Sequence, residues 1–431
     1  MVILKGRGWV APLCWIAVLL DGFDAVVLGA VMPSMIEDPE FALTPATGTV
    51  VATVGLVGMM IGALGMGWAT DRFGRRKLLI GAVVLFSLFT LGMAFVDSIF
   101  LFGLLRFLAG VGLGGCLPTG ISMVTEFAGR NRTGKSTTLM MTGYHVGAVL
   151  TAALAIVVVQ NVNWNAMFII GALPALVLVP LMYVYLPESP DYLLSKGRVE
   201  DARRVCEHYG LDFDHQEQVE RELKAAAADG TVYKEPKGAA TVLTGQFRRN
   251  TVLVWIASFM GLLLVYGLNT WLPQIMRAAD YDLGNALGFL LILNIGAVVG
   301  LVIAGRTADR ITPRLAAVIW FIGAGVLLAA LAIKLPLLGI YAMVFSTGCF
   351  VFSAQVLVYA FCAANYPTKV RATALGMAAG VGRLGAISGP TLGGAMLAAG
   401  IAYPWGFFGF AIAAVLGGGA MAATKTLQTH E

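Results

Sequence analysis

The sequence predicts an all-α integral membrane protein, with twelve membrane-spanning helices arranged as two six-helix bundles related by a pseudo-twofold axis. Three observations carry that expectation. Hydrophobic residues make up 58% of the 431 positions and charged residues only 12%, where a soluble globular chain is roughly a quarter charged. Apolar runs recur along the whole chain, each near the ~20 residues a helix needs to cross a hydrocarbon core. The second half also repeats the first at an offset of 238 residues: Gly67, Asp71 and Arg72 return as Gly305, Asp309 and Arg310, and residues 143–147 align with 381–385.

Taken in order, the first run covers roughly residues 9–33. It is too long for a cleaved signal peptide and carries Asp21 and Asp24, so it stays as a helix. Runs at about 47–69 and 78–96 flank a short loop holding Arg72, Arg75, Arg76 and Lys77. The fourth, about 98–122, contains Arg106 and precedes Arg130, Arg132 and Lys135, and the fifth and sixth cover about 136–160 and 165–186. Residues 187–249 then turn hydrophilic. Val199–Tyr209 and residues 216–228 have helical composition, ended by the Asp-Gly turn signal at 229–230. We read a cytoplasmic connector with surface helices, joining a bundle over 1–186 to a second over 250–431. The second bundle comprises runs at about 250–276, 284–304, 315–333, 336–362, 372–399 and 403–423.

Orientation follows from the basic residues. With the N-terminus in the cytoplasm, 25 of the 29 Lys and Arg fall on one side, Arg106 and Arg383 lie within spans, and only Arg277 and Lys334 face outward. That is the positive-inside pattern of a multi-pass protein of the cytoplasmic (inner) membrane with both termini inside. The net charge of +5 is therefore topological, and no nucleic-acid partner is implied. The five cysteines lie mostly within apolar runs, without metal-ligand or redox spacing, and read as packing residues.

Four formal charges remain inside the apolar runs: Asp21, Asp24, Arg106 and Arg383. A charge at the bilayer centre costs roughly 2.5–3.5 kcal/mol on insertion scales, so such groups usually pair or line a polar pathway. Counting ~1.5 Å per residue from the cytoplasmic helix ends puts Asp21 roughly 18 Å deep, Asp24 about 22 Å, Arg106 about 24 Å and Arg383 about 17 Å, all near the middle of a ~30 Å core. Asp21 and Asp24, three residues apart, share a helix face. An Asp–Arg pair that only staples two helices is the plainer alternative.

The stretch Gly67-Trp68-Ala69-Thr70-Asp71-Arg72-Phe73-Gly74-Arg75-Arg76-Lys77 resembles the cytoplasmic signature of the major facilitator superfamily, with a degenerate copy beginning at Gly305. Arg106-Phe107-Leu108-Ala109-Gly110-Val111-Gly112 is similar to the helix 4 motif of that superfamily. Asp21-Gly22-Phe23-Asp24, Gly112-Leu113-Gly114-Gly115 and Gly382-Arg383 resemble the aromatic acid:proton symporters within it. Pro187-Glu188-Ser189-Pro190 is shared more widely, including by sugar and organic-cation carriers.

The resemblance implies the superfamily fold, parallel halves with a site between them, and import of an aromatic carboxylate coupled to a proton by a carrier that works as a monomer. The chemistry can be assigned to residues. A planar guanidinium makes two parallel bonds to a carboxylate, which suits Arg383 to the substrate anion. Asp21 and Asp24 suit proton coupling, because a buried carboxylate resists charge when alone and tolerates it beside a cation, and Arg106 is their switchable partner. Tyr144, His145, Tyr266, Trp271, Phe352 and Tyr359 are aromatic or imidazole candidates for the ring, and Asn269 and Gln355 for ring hydroxyls. Tyr266 and Trp271 could instead stand in the outer interfacial belt. In the superfamily the signature Asp meets the start of helix 11 and a following arginine meets an acid on helix 4. Here those gating contacts would be Asp71 with Arg371 and Arg75 with Glu126, with Asp309 as the repeat copy.

Other classes fit less well. Neither a metal cluster nor a nucleophile with a base occurs within the spans, so no catalytic residue, metal or cofactor is expected and the proton is the only coupling ion. No Walker loop is present. The connector is too short for a sensor domain, and a sugar carrier would show more Asn and Gln and fewer charges at mid-depth. A superfamily carrier of another organic acid, a sugar or an exported metabolite or drug is the alternative.

Overall fold

The computed structural model describes residues 8–41, 43–128, 133–211, 213, 243, 245, 247–366 and 368–425. Among them the regular structure is all helical: α1 Val10–Glu37, α2 Pro45–Phe73, α3 Arg75–Met93, α4 Ile99–Ala128, α5 Thr133–Asn161, α6 Asn165–Ala172, α7 Ala175–Tyr185, α8 Pro190–Ser195, α9 Val199–Tyr209, α10 Phe247–Ala278, α11 Leu283–Arg310, α12 Pro313–Ala330, α13 Leu337–Asn365, α14 Thr368–Ala398 and α15 Trp405–Ala423. Among the described residues, eleven stretches are long and apolar enough to span a membrane, α6 and α7 together counting as one. The 31-residue α14 occupies the place of the eleventh apolar run and completes twelve.

Two details differ from the runs read in the sequence. The sixth run is broken at Leu173-Pro174, where proline has no N–H to continue the ladder and instead opens α7. Several helices also outrun their apolar stretches at the basic end, α4 reaching Ala128 and α13 reaching Asn365. In the connector, α9 covers Val199–Tyr209 and buries Ala202 and Val205 against Leu193 and Leu194 of α8. The stretch 216–228, also expected to be helical, lies outside the described residues. All five cysteines are buried free thiols.

Contacts gather the chain into two compact units, one of Met1–Val27, Val54–Thr151 and Val162–Glu235, the other of Leu28–Thr53, Ala152–Asn161 and Pro236–Glu431. In the first, α2 and α4 cross at backbone distance: a Cβ on Gly58 or Gly62 would collide with the carbonyls of Phe107 and Val111, and one on Gly110 with that of Gly55. The second unit builds the same crossing between α11 and α13, from Gly296 on Phe345, Gly300 on Cys349 and Gly348 on Leu293. Each residue lies 238 positions after its counterpart. Small residues that let backbones touch are how helices associate where hydrophobicity gives no drive.

Also within the second unit, the ends of α1 and α2 farthest from the basic loops pack on α10 and α14. Gly29 abuts the Asn269 carbonyl, Gly48 and Gly393 face the Trp271 ring, Thr53 and Thr391 share a hydroxyl contact of 3.3 Å, and Glu37 pairs with Arg277.

The crossings make an expected outcome specific. Gly58→Ala and Gly296→Ala should each lower stability by about 1–3 kcal/mol, as overpacking does, although alanine favours a helix over glycine by about 1 kcal/mol. Gly419→Ala, with open space around it, should be neutral or stabilising. Melting temperatures of the three purified variants in detergent check this.

Candidate functional site

In the first unit two of the mid-span charges, Asp24 and Arg106, form one compact pair. Asp24 on α1 is 2% exposed and Arg106 on α4 is 8% exposed. Arg106 Nη1 donates to Asp24 Oδ2 at 2.5 Å, and its Nη2 donates to the backbone carbonyl of the same aspartate at 3.0 Å. The second carboxylate oxygen accepts from Thr90 Oγ1 on α3 at 2.9 Å. Room for the arginine stem comes from α2, where a Cβ on Gly55 would stand 2.9 Å from Arg106 Cγ. Two buried charges are tolerable only when paired with good geometry and further hydrogen bonds, and both conditions hold here.

Asp21, one turn earlier, is equally buried and lies within electrostatic reach of Cys116 on α4. Across α1 stands α5, brought close because Gly22 and Gly147 let the backbones meet at Tyr144 and Leu19. His145 is buried there, with its ring edge-to-face on Tyr144 at 5.5 Å. Thr151 Oγ1 adds a bond of 3.0 Å to the Phe23 carbonyl.

The second unit holds the remaining polar candidates. Arg383 on α14 is half-buried, and its Nη1 donates to the Tyr266 hydroxyl on α10 over 3.4 Å. The Tyr359 hydroxyl on α13 sits beside Ser258, Gln355 and the Arg383 charge. Gln355 Nε2 donates to Ser258 Oγ at 3.1 Å, which donates in turn to the Ala378 carbonyl at 2.8 Å. Asn269 Oδ1 accepts from Asn294 Nδ2 at 3.2 Å, while a 2.9 Å bond from the same nitrogen to the Leu290 carbonyl fixes the Asn294 amide. Phe352 is buried on α13. Trp271 does not belong to an interfacial belt: it is fully buried and its Nε1 donates to the Pro390 carbonyl at 2.7 Å, an oxygen at a proline position within α14. Asp309, at the exposed end of α11, lines a cavity of about 460 Å³ with Ala304, Gly305, Pro313 and Ala360.

At the basic end of the first unit, Arg75 pairs with Glu126 at the end of α4, and Glu126 also accepts from Ser189 Oγ. Glu188 Oε1 accepts from the backbone N–H groups of Arg76 and Ser189, both at 3.0 Å. Ser189 caps α8 by accepting from Tyr192 N. Gly74 makes this turn possible, since its φ of +93° suits glycine and a Cβ would strike the Glu188 carboxylate. The side chains of Asp71 and Arg371 lie outside the described residues.

Thr90, Ser258 and Asn294 were not singled out from the sequence. Counting ~1.5 Å per residue from the start of the third apolar run places Thr90 roughly 18 Å deep, so the same depth count extended to hydroxyls would have flagged it.

The major facilitator superfamily profile matches residues 14–390. The chain belongs to the major facilitator superfamily. It is 34% identical to the benzoate transport protein of Acinetobacter baylyi, over 93% of this chain and 85% of that protein. It is 33% identical to the gentisate transporter of Corynebacterium glutamicum, over 99% and 89% respectively, and 31% identical to a 4-hydroxybenzoate transporter of Pseudomonas putida, over 92% and 87%. The fold is that of the E. coli xylose transporter in its inward-open conformation, with a TM-score of 0.77 at 17% identity over 99% of this chain and 98% of that one. This superfamily member is thus a multi-pass membrane transporter of a small organic substrate and not an enzyme, and it groups with aromatic-acid carriers as its helix motifs suggested.

Burial pushes the Glu188 carboxyl above the usual carboxylate range, against the opposing pull of the N–H bonds from Arg76 and Ser189. A raised acid binds its proton more tightly in the folded state, so its stabilising contribution is complete below the ordinary glutamate value and is lost as pH rises through the raised one. Glu188→Gln keeps the acceptor oxygen and removes the titration. Its melting temperature should therefore fall less than that of the natural protein as pH is raised from the acidic carboxylate range to neutrality.

Proposed function

We propose that this transporter imports an aromatic carboxylate across the cytoplasmic membrane in symport with a proton, by alternating access, as a monomer with both termini in the cytoplasm and with no cofactor. The observation that carries the coupling is the buried Asp24–Arg106 pair. Neither charge can be left alone in an apolar interior, so the pair can part only if Asp24 is neutralised or Arg106 meets another anion. A proton supplies the first route and a carboxylate substrate the second. Asp21, on the same face, is the second proton-coupling candidate.

The substrate class is supported by the relatives, whose named substrates include benzoate, gentisate, gallate and 4-hydroxybenzoate. Each is an aromatic ring bearing a carboxylate. Arg383 is assigned to that carboxylate, with Tyr266 and Tyr359 beside it. Tyr144, His145, Trp271 and Phe352 are assigned to the ring face, and Asn269 and Gln355 to ring hydroxyls. Arg75–Glu126, Asp71 with Arg371, and Asp309 are assigned to gating. Within the second unit the contacts of Gly29, Thr53 and Glu37 with α10 and α14 would have to open during the transport cycle.

Radiolabelled 4-hydroxybenzoate should accumulate in proteoliposomes only when driven by an inwardly directed proton gradient. Collapsing the gradient should abolish accumulation and spare exchange of internal for external substrate. Asp24→Asn should still insert but melt at a lower temperature, because Arg106 loses its counter-charge, and it should lose accumulation. Accumulation that persists without a gradient would remove proton coupling from the proposal.

Arg383→Lys tests the carboxylate site. An ammonium keeps the charge and loses the two-pronged geometry, so the apparent affinity for the acid should weaken on the order of tenfold, the worth of one charge-assisted bond. Unchanged binding to the lysine variant would leave Arg383 a structural residue.

A further inference from the structure

Among the described residues, several side-chain hydroxyls in the membrane helices serve their own backbone. Thr49, Thr307, Ser346, Thr347, Ser388 and Thr391 each donate to the carbonyl four residues earlier, the usual local bond of Ser and Thr in helices. Thr90 does not. It is 3% exposed and donates across from α3 to Asp24 Oδ1 on α1 at 2.9 Å.

A hydroxyl differs from a guanidinium in what it can offer. Arg106 has only donors, so it can satisfy the charged carboxylate and has nothing to give the O–H of a protonated acid. A threonine hydroxyl both donates and accepts. It can donate to the Asp24 carboxylate, as seen here, and after rotation about Cβ–Oγ1 accept from the carboxylic acid. When Asp24 takes up a proton, Oδ2 no longer holds Arg106 by charge, and the new O–H needs an acceptor in a site shut off from water. The groups around Asp24 leave few alternatives. Arg106 of α4 is a donor, Asp21 lies one turn back on α1, and Thr151 of α5 already donates to the Phe23 and Gly147 carbonyls. His145 stands on α5 against Tyr144, and Cys116 of α4 donates to Ala17 O at 3.7 Å.

We propose that Thr90 is the positioning residue that holds Asp24 in both protonation states, so that Arg106 can let go without leaving a buried acid unpartnered. This deepens the proton-coupling reading and rests on it. In the cycle one proton adds to a carboxylate oxygen of Asp24, the Arg106 Nη1–Oδ2 bond opens, and the hydroxyl reverses its role. Release of the same proton restores the arrangement seen here. No other covalent bond is made or broken, and the Thr90 O–H turns to the carbonyl four residues back, the local bond threonine makes in a helix.

The test is gradient-driven uptake of 4-hydroxybenzoate by proteoliposomes containing the full-length protein and its Thr90→Val and Thr90→Ser variants, with melting temperatures recorded alongside. Valine keeps the shape and the branched Cβ and removes the hydroxyl; serine keeps the hydroxyl. Thr90→Val should lower the maximal rate about tenfold, the cost of one unmade buried hydrogen bond, with the Michaelis constant within about twofold. Thr90→Ser should restore the rate to within about twofold of the natural protein, because serine offers the same donor and acceptor. A normal maximal rate in Thr90→Val, or equal loss in valine and serine variants with lowered melting temperatures, would overturn the proposal while leaving proton coupling intact. Uptake by the natural protein that ignores the proton gradient would overturn the coupling reading, and the role of Thr90 with it.

Discussion

An aspartate and an arginine taken out of water together constrain everything built around them. The pair of Asp24 and Arg106 sits where water cannot screen or solvate it, and removing either partner from a buried pair typically costs about 3–5 kcal/mol. The surroundings answer that cost locally. Gly55 vacates volume for the arginine stem, the Asp24 carbonyl takes a second guanidinium bond, and Thr90 occupies the remaining carboxylate oxygen. The small residues of α2 are thus the condition for carrying an arginine at this depth.

The two halves share a scaffold and divide the chemistry. Glycines 58, 62, 110 and 147 return 238 positions later as 296, 300, 348 and 385, each against a neighbouring backbone. The polar residues of the Asp24 cluster, and the Gln355 and Tyr359 pair, do not return. Asp24, Thr90 and Arg106 correspond to Leu262, Leu328 and Val344, while Gln355 and Tyr359 correspond to Leu117 and Ile121. Backbone crossings need particular small residues wherever they occur, whereas a buried polar group is needed once and is costly if duplicated without a partner.

This division explains what could be read from the chain beforehand. Twelve spans were legible because lipid demands long apolar helices whose backbone groups are satisfied within each segment. The mid-depth charges were legible because they are rare and depth can be counted along a helix. Rotation about the helix axis could not be counted, so nothing indicated that Thr90 faces Asp24 or that the Trp271 indole turns inward to Pro390. Thr90, Ser258 and Asn294 were passed over because neutral polar side chains carry no conspicuous insertion cost. The Pro-Glu-Ser-Pro stretch gave a family resemblance, yet its physical use, a helix cap whose glutamate collects two N–H groups beside the Gly74 turn, needed coordinates.

At the end of α1 farthest from the basic loops, backbone contact at Gly29 and the ring of Trp271 are buried, while Glu37 is exposed and Arg277 half-buried. Exposed ion pairs are worth about 0–1 kcal/mol and fade with added salt; close packing does neither. Cohesion there therefore resides in shape. In the orientation proposed, that end meets a medium whose ionic strength the cell does not control, and a seal made of fitted surfaces keeps its strength in fresh water and brine alike.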